Sequence, residues 1–574
     1  MKLHRILYLS MFLVLAVSCK KQLTEDPKGI INESFLATED GLRNLVLSQY
    51  YQSRLIVEDL RHLGELPSDL TTHSVNSVDI TEMTTMNVNT MPTLGAMSTS
   101  WRHLYTGVNN INFGLKAIKD KQFDLPTIEG ELSFLRAWFY LLIVETWGAG
   151  AHFATEPTSG ILTDGNQTTI DVFYSLIIAD INKAIAKLPA SSSESGRITI
   201  GAAKALKARI LLALAGYNDN IIGKSGMESK AKVYAETRKL CDEVINNYGY
   251  KLLPDYKRIF DTYNQGNEEV IWAVQFTGVE KFNTSELSTG GHGLHRYWVS
   301  NYNKSARTQE IVPRMYGHSI YYGREYRHIM MTRYFLTMFN QAEDSRADAT
   351  IQTVWLALWD ETLKQENAFG VPVKNGQPTD TVLFKPLYNV DDATAAKYKA
   401  RGIAIDGLNH IYQPDGTPIS AARSWYHTMK KYLDPSRTVP KDEASHKEVI
   451  VLRLGDIYLM AAESALMMGD QGAAAGYIDK LRARARLFPG ALPVTTSQVD
   501  MNFILDERGR ELGGELLRWF DLKRTHTLVD RVKKYNPDTK VINTDHELRP
   551  IPQSELDKVT NRDKFKQNPG YPSK

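Results

Sequence analysis

Apolar positions recur at spacings of three and four through much of the first 250 residues, the period of a helix with one buried face. Ile170, Phe173, Ile177, Ile181, Ala184, Ile185 and Leu188 make one such stripe, which Pro189 ends before a serine-rich connection at 191–195. Met97 to Ile118, Glu131 to Trp147, Ile200 to Ala215 and Lys232 to Asn247 read as further amphipathic or buried helices. Between Tyr250 and Glu448 the texture changes. Glu269 to Phe276 alternates like a short strand, and long stretches rich in Gly, Asn, Tyr and Arg follow with little period. Helical period returns at Val449 to Met468, at Gly472 to Ala485 and from Asp500 onward.

Two of the helices share a local signature, Leu135-Arg136-Ala137 against Leu206-Lys207-Ala208, 71 residues apart. That is about two periods of roughly 34 residues, the length of a tetratricopeptide helical hairpin. Ala202, Ala205 and Ala208 allow close helix approach in such hairpins. The pattern predicts a mostly α fold of tetratricopeptide-like hairpins, an α-α superhelix, carrying a loop-rich insertion. Long irregular segments in a compact body are commonly functional, and the aromatic content of this one argues against disorder.

At the start of the chain, Lys2 and Arg5 precede the twelve-residue, mainly apolar run Ile6 to Val17, too short to span a bilayer comfortably. Ala16-Val17-Ser18-Cys19 follows and resembles a bacterial lipobox, with Ala16 where Leu is usual. Residues 1–18 therefore read as a lipoprotein signal peptide, Cys19 as an acylated anchor, and 19–31, with Pro27 and Gly29, as a tether. The most apolar later stretch, Leu132 to Trp147, is interrupted by Arg136 and Glu145 and is not read as a membrane span. The only other thiol, Cys241, shares a helix face with Val244, Ile245 and Tyr248 and reads as a small buried hydrophobe.

Composition narrows the function without naming it. Two cysteines in 574 residues build neither a disulfide scaffold nor a four-thiolate zinc module. Lys and Arg number 68 against 66 Asp and Glu, so no general field grips a polyphosphate, and nucleic acid is not an expected partner.

The carboxy-terminal third is specific enough to carry a resemblance. Val451-Leu452-Arg453-Leu454-Gly455-Asp456-Ile457-Tyr458-Leu459-Met460-Ala461-Ala462-Glu463 is followed by Ile504-Leu505-Asp506-Glu507-Arg508-Gly509-Arg510-Glu511-Leu512 and by Arg518-Trp519-Phe520-Asp521-Leu522-Lys523-Arg524. The chain closes with His546-Glu547-Leu548-Arg549-Pro550-Ile551-Pro552-Gln553 and Gln567-Asn568-Pro569-Gly570-Tyr571. In order and spacing these resemble the SusD/RagB family of outer-membrane lipoproteins, and the lipobox, Leu135-Arg136-Ala137 and Asp344-Ser345-Arg346 fit as well; Gly513-Gly514 departs from the larger residues usual there. The resemblance implies a helical N-terminal region at 32–285 and a C-terminal region at 286–574, the latter split into the insertion 286–448 and a helical end 449–574. It also implies a loop-rich face that binds glycans, or in some members peptides, a SusC-type TonB-dependent barrel as partner, an outer-membrane location facing the cell exterior, and neither cofactor nor catalysis.

The chemistry-bearing residues were weighed individually. Glu507, Glu511 and Glu515 line one helix face, which cannot present two carboxyls on either side of a sugar bond, so ion pairing with the interleaved arginines is the expectation. Arg453, Asp456 and Glu463 read the same way. The sequence contains no His-Glu-x-x-His, phosphate-cradling Gly-x-x-x-x-Gly-Lys or Gly-x-Ser-x-Gly. Gly290-Gly291-His292-Gly293-Leu294-His295 reads as a mobile loop rather than a metal site.

His295 to Tyr326 holds Tyr297, Trp298, Tyr302, Tyr316, Tyr321, Tyr322 and Tyr326 with Arg296, Asn301, Asn303, Arg307, Gln309 and Arg324 interspersed. Aromatic planes suit the C–H faces of sugars, and the amides and guanidinium groups suit their hydroxyls. The expected ligand contacts are Trp298 as a loop platform, with Tyr297, Tyr302, Tyr321, Tyr322, Arg296 and Arg324. Glu65 to Asp79, with Asp69, His73 and Asn76, precedes Trp101 and is expected to face that segment. The resulting expectation is capture of an oligosaccharide and its delivery to the barrel. The alternatives are peptide capture, a lipid-anchored glycan hydrolase, or a scaffold that holds only proteins.

Overall fold

The helices pair in chain order. α1 (Glu39–Leu60) packs on α2 (Gly95–Lys121), α3 (Pro126–Trp147) on α4 (Ile170–Lys187), α5 (Ile200–Leu214) on α6 (Lys230–Asn247), and α7 (Leu454–Met467) on α8 (Gln471–Ala483). Each pair also packs on the next, α2 on α3, α4 on α5 and α6 on α7, so the superhelix runs on across the long insertion between α6 and α7. The fold is mostly α and built of tetratricopeptide-like hairpins, as the sequence pattern predicts. The computed structural model describes residues 33–158, 163–277, 291–312, 315, 318–357, 373–374, 377–378, 381–441 and 444–572. Cys19, the signal segment 1–18 and the tether 19–31 lie outside the described residues, as do Gly290 and Tyr316.

Local chemistry sets the helix ends. Thr38 Oγ1 accepts from the Gly41 N–H at 3.0 Å to cap α1, Pro126 opens α3 where its missing N–H costs nothing, and Asp470 caps α8 by accepting from the Ala473 N–H at 3.0 Å. Every residue of α3 from Gly130 to Trp147 is buried, which makes it the axis of the helical body. Its charged groups are matched: Arg136 donates to both carboxylate oxygens of Asp180 at 2.7 Å and to Asn112 Oδ1 at 2.7 Å, and Glu131 receives Arg197 at 2.7 Å. Cys241 is fully buried in α6, and burial pushes its thiol up, consistent with a core residue.

One expected helix begins later than its periodicity suggests. β1 (Thr71–His73) pairs antiparallel with β3 (Ile329–Met331), β2 (Val270–Val274) pairs antiparallel with β7 (Val449–Arg453), and β5 (Thr381–Phe384) lies between β4 (Val354–Leu356) and β6 (Ala404–Ile405). Residues 449–453 are thus a strand rather than the first turns of α7. Val449, Ile450 and Val451 are β-branched and favour a pleated surface, and β2 offers them a partner. The β2–β7 pair lies where α5 and α7 meet the insertion, and the β1–β3 pair ties the segment after α1 to it.

α9 (Met501–Leu512), capped by Asp500, carries Glu507 and Glu511 into a buried ion-pair network that Glu515 joins from the turn beyond the helix end, not from the same helix face as expected. Arg346, fully buried, donates to Asp344 at 2.8 Å, Glu507 at 2.9 Å and Glu511 at 3.0 Å. Arg453 reaches Glu269 at 3.0 Å, Glu511 at 2.7 Å and Glu515 at 2.7 Å. Asp456 receives Arg508 at 2.8 Å, and Glu463 receives Arg524 at 2.9 Å. These guanidinium groups hold Glu507 and Asp456 well below the usual carboxylate range and Glu511 at about 2. Ion pairing therefore accounts for the carboxylates that could have suggested a hydrolase. Gly513 and Gly514 have a packing reason: a Cβ on Gly513 would lie 2.5 Å from the Phe335 ring, and one on Gly514, at φ +80°, 2.0 Å from the Met429 sulfur.

Candidate functional site

The aromatic segment after His295 divides into a buried set and an outward set. Trp298 is 1% exposed and belongs to the main core, as does Tyr297; Arg296 is buried beside them, and Tyr302 and Tyr322 pack with Val299, Trp355, Val382 and Leu383 in a second, smaller core, so these expected ligand contacts are largely enclosed. Trp298 is therefore not the expected loop platform. An indole buried to this degree has no free face for a sugar, and its apolar surface is taken up by neighbouring side chains. Tyr302 donates its hydroxyl proton to the Gly323 carbonyl at 3.2 Å, and Tyr322 to no ligand-facing group but lies 2.7 Å from the Leu356 N–H, which it accepts. Tyr321 is exposed.

Three further expectations are corrected. His292 and His295 are buried, with Ser445 bridging antiparallel to His292, so this stretch is internal structure rather than a mobile surface loop. Asp69 is completely buried and held by Arg518 at 2.7 and 2.8 Å and by Arg531 at 2.8 Å, which leaves its carboxylate committed to α10 (Arg518–Arg524) and α11 (Leu528–Tyr535). Trp101 is buried against Tyr105 and Trp147 in the helical body, not against the aromatic segment.

What the structure does bring together is a seam of three chain segments. The Ser74 N–H donates to the His328 carbonyl at 3.0 Å, and the N–H groups of Val75 and Asn76 donate to the Arg327 carbonyl at 3.2 and 3.3 Å. On the other side, the N–H groups of Arg327 and His328 donate to the carbonyls of Val299 and Tyr297, both at 3.1 Å. The third segment, 423–426, closes the seam. Ser74 Oγ donates to the Arg423 carbonyl, Arg423 donates to the His73 carbonyl at 2.8 Å, and the Asn301 N–H donates to the Ser424 carbonyl at 2.9 Å. His73 to Asn76 thus pairs with residues 327–329, just past the aromatic segment, rather than with the segment itself.

Rings and guanidinium groups alternate along this seam. The Arg61 guanidinium lies 4.4 Å from the Tyr297 centroid, Tyr297 stacks on His328 at 5.2 Å and 23°, and His328 leans on Tyr326 at 5.5 Å. Arg296 lies 4.3 Å and Arg324 5.3 Å from the Tyr326 centroid. Such contacts are worth roughly 0.5–2 kcal/mol each, depending on desolvation. Arg324 also donates to the Lys441 carbonyl at 2.5 Å. Beyond them Trp425 is half-buried, the only described tryptophan that is not fully buried, with Lys304 Nζ 5.8 Å from its ring.

A cleft of about 140 Å³ opens beside Tyr297, lined by Arg54, Glu58, Arg61, Phe276 and Arg296 among others. Burial raises the Glu58 carboxyl from its ordinary value even though Arg61 opposes the shift. Burial, then Arg61, Arg296 and Arg327, lowers His328 to about 4, so its imidazole is neutral at physiological pH and stacks as an uncharged ring. His73 is also lowered, first by burial and then by Arg423, with Asp538 opposing at 3.7 Å. The seam carries partly exposed aromatic rings, hydrogen-bond donors and amides. That combination suits a polyhydroxylated ligand.

A larger hollow of about 540 Å³ lies at the end of α2, and several of its charges are already engaged: Lys116 with Asp120 at 2.5 Å, Glu129 with Lys187 at 2.6 Å and Arg136 with Asp180. Among the described residues no cluster of three His, Cys, Asp or Glu side chains could hold a metal, and no helix is long and apolar enough to cross a membrane. Trp425, His328, Arg61 and Arg327 escaped the sequence reading. The Trp425-Tyr426 doublet mirrors Tyr297-Trp298 and was a usable signal, whereas the contribution of Arg61 depends on α1 meeting a segment some 230 positions away.

The chain belongs to the SusD family: that family's model matches residues 256–571, and a second, described as "Starch-binding associating with outer membrane", matches 37–212. Among curated relatives, SusD-like protein P25 of Formosa agariphila is 26% identical with 97% of each chain covered, and SusD-like protein P2 of the same organism is 23% identical over the whole of both. Among solved structures, a "Laminarin binding SusD-like protein" matches with a TM-score of 0.66 at 21% identity, covering 93% of this chain and 100% of that one. Surface glycan-binding protein A from Bacteroides thetaiotaomicron matches at 0.64 and 18%, covering 93% and 100%. The family model establishes the membership, and the structural likenesses the fold.

Proposed function

We propose that this protein is a lipid-anchored, outward-facing glycan-binding protein of the outer membrane that captures an oligosaccharide and delivers it to a SusC-type TonB-dependent barrel. The observation that carries the reading is the seam itself, where the partly open rings of Tyr326, His328 and Trp425 lie on hydrogen-bonded segments that also carry Asn76, Asn301 and several guanidinium groups. Stacking and hydrogen bonding hold the ligand, and no bond is broken. The family's outer-membrane description, the glycan binding printed in the names of two structural neighbours, and the Cys19 lipobox support the location and the ligand class.

Isothermal titration of a lipid-free protein starting at Lys20, against a panel of neutral and acidic polysaccharides, tests it. At least one polysaccharide binds, and Trp425→Ala or Tyr326→Ala weakens that binding about tenfold or more, the scale of a lost aromatic anchor. Binding of peptides and of no glycan would replace the ligand class while keeping uptake. Appearance of shortened glycan products during incubation would overturn the non-catalytic reading.

A further inference from the structure

The ligand class within that reading can be narrowed by charge. We infer that the seam selects glycans carrying anionic substituents, carboxylate or sulfate, and that Arg327 is the residue that reads the charge. This rests on the glycan-capture reading and adds to it a substituent that the aromatic rings alone would not distinguish.

Arg327 stands out in three ways. Its backbone is left-handed, at φ +56°, a conformation that non-glycine residues adopt rarely and that local structure must hold in place. The flanking hydrogen bonds do so, with Val75 and Asn76 donating to its carbonyl and its own N–H donating to Val299. Its guanidinium makes no ion pair among the described residues, and its Nε, shielded from solvent, has no hydrogen-bond partner. An arginine held in a strained backbone at the junction of three segments, with no carboxylate partner among the described residues, is not explained by packing.

The carboxylates nearby are committed elsewhere. Asp538 receives Arg423 at 2.6 Å, Glu325 meets His318 at 2.5 Å, Asp59 meets His103 at 2.7 Å, and Glu58 accepts from the Gly293 N–H and lies 3.9 Å from Arg61. None of them pairs with Arg327. The titratable neighbour on the seam, His328, is lowered first by burial and then by Arg61, Arg296 and Arg327, the three guanidinium groups around it. Arg61, Arg296 and Arg324 frame the same three rings. A guanidinium presents planar paired donors that match carboxylate and sulfate oxygens, and at a partly desolvated site such charge-assisted bonds are roughly twice as strong as neutral ones. A neutral sugar would leave that charge without an acceptor.

The test uses matched pairs on the lipid-free protein: polygalacturonate against its carboxyl-reduced form, and carrageenan against its desulfated form, alongside neutral glucans and mannans on the same glycan array. The inference expects one acidic polymer to bind at least tenfold tighter than its neutralised partner, and the advantage to shrink as salt is raised from 50 to 300 mM. Which pair shows the difference separates carboxylate from sulfate. Arg327→Gln should remove most of the preference while leaving circular dichroism and the thermal midpoint close to wild type, and Arg327→Lys should recover part of it. Tighter binding of neutral glycans than acidic ones, or an acidic preference that survives Arg327→Gln, overturns the inference and leaves glycan capture standing. Absence of binding to every polymer on the array overturns glycan capture itself, and this inference with it.

Discussion

The ring of Tyr297 lies stacked on that of His328, their centroids 5.2 Å apart and their planes 23° from parallel. Tyr297 is 6% exposed and its neighbour Trp298 1%, so both rings belong to the main core, and Tyr297 borders only the small cleft that it lines with Arg61 and Arg296. The more open rings of the seam are Tyr326, His328 and Trp425.

That contrast predicts different phenotypes for two tryptophans. Trp298→Ala should cost about 3–5 kcal/mol of stability by opening a core cavity, and its urea midpoint should fall. Trp425→Ala, at a partly buried ring that only flanks the core, should lower the midpoint by much less and lower glycan affinity. Equal loss of stability in both variants would show that Trp425 is a core residue as well.

Arg346 predicts the acid limit of the fold. Replacing it with Met leaves Asp344, Glu507 and Glu511 buried without their shared cation, at a cost of about 3–5 kcal/mol. The pH dependence follows from the carboxylates. Glu511 ionises at about 2 in the folded protein and near 4.3 when unfolded, so its stabilisation is fully present above about pH 5 and is lost as pH falls toward 2. Glu507 acts in the same direction. Denaturant titrations at pH 7, 5 and 3 in a Glu65→Gln background, which removes an opposing titration above pH 4.3, should show little change over the first interval and a clear drop over the second; a flat profile down to pH 3 would contradict this.

Much of the helical body was legible in the sequence, because its helices carry a regular stripe or sit between recognisable caps, as Asp500 and Pro126 do. The first turns expected for α7 were misread because Val449 to Leu452 is a short, wholly apolar run, and such a run fits a buried strand as well as a buried helix. The site was legible in its composition but not its arrangement. Aromatic enrichment marked His295 to Tyr326, yet which rings face outward depends on pairing with β1 and with residues 423–426, contacts that span 100 to 250 positions. Asp69 looked available for ligand because its two arginine partners lie some 450 residues downstream.

Membrane attachment is predicted to depend on one atom, the Cys19 sulfur. Cys19→Ala should leave the folded body intact and shift the protein from the membrane pellet to the soluble fraction, because several acyl chains give a stable hold that a polar tether does not. Co-sedimentation of the variant with outer membranes, in cells lacking the barrel partner, would show that another contact anchors it. Protease shaving of intact cells then reports whether the wild-type chain faces outward.

Glu65 makes the last prediction, and its sign is opposite to that of Glu511. Its side chain is completely buried, one carboxylate oxygen accepts from the Leu516 N–H at 3.2 Å, and the other has no hydrogen-bond partner. Arg518, the principal opposing cation, is itself committed to both oxygens of Asp69, and burial outweighs it to push Glu65 up to about 8. Between about pH 4.3 and 8 the folded state therefore keeps a proton that the unfolded chain releases, and stability falls as pH rises through that window. Since one pKa unit corresponds to about 1.4 kcal/mol, the effect is on the order of a few kcal/mol. Glu65→Gln keeps the shape and the acceptor but removes the titration. The variant should match the wild type near pH 4.5 and exceed it by a widening margin toward pH 8.5, read from urea midpoints at both pH values. Parallel curves for the two proteins would mean that Glu65 is ionised in the fold and compensated by a charge, in which case Arg518 is shared between two carboxylates rather than held by Asp69.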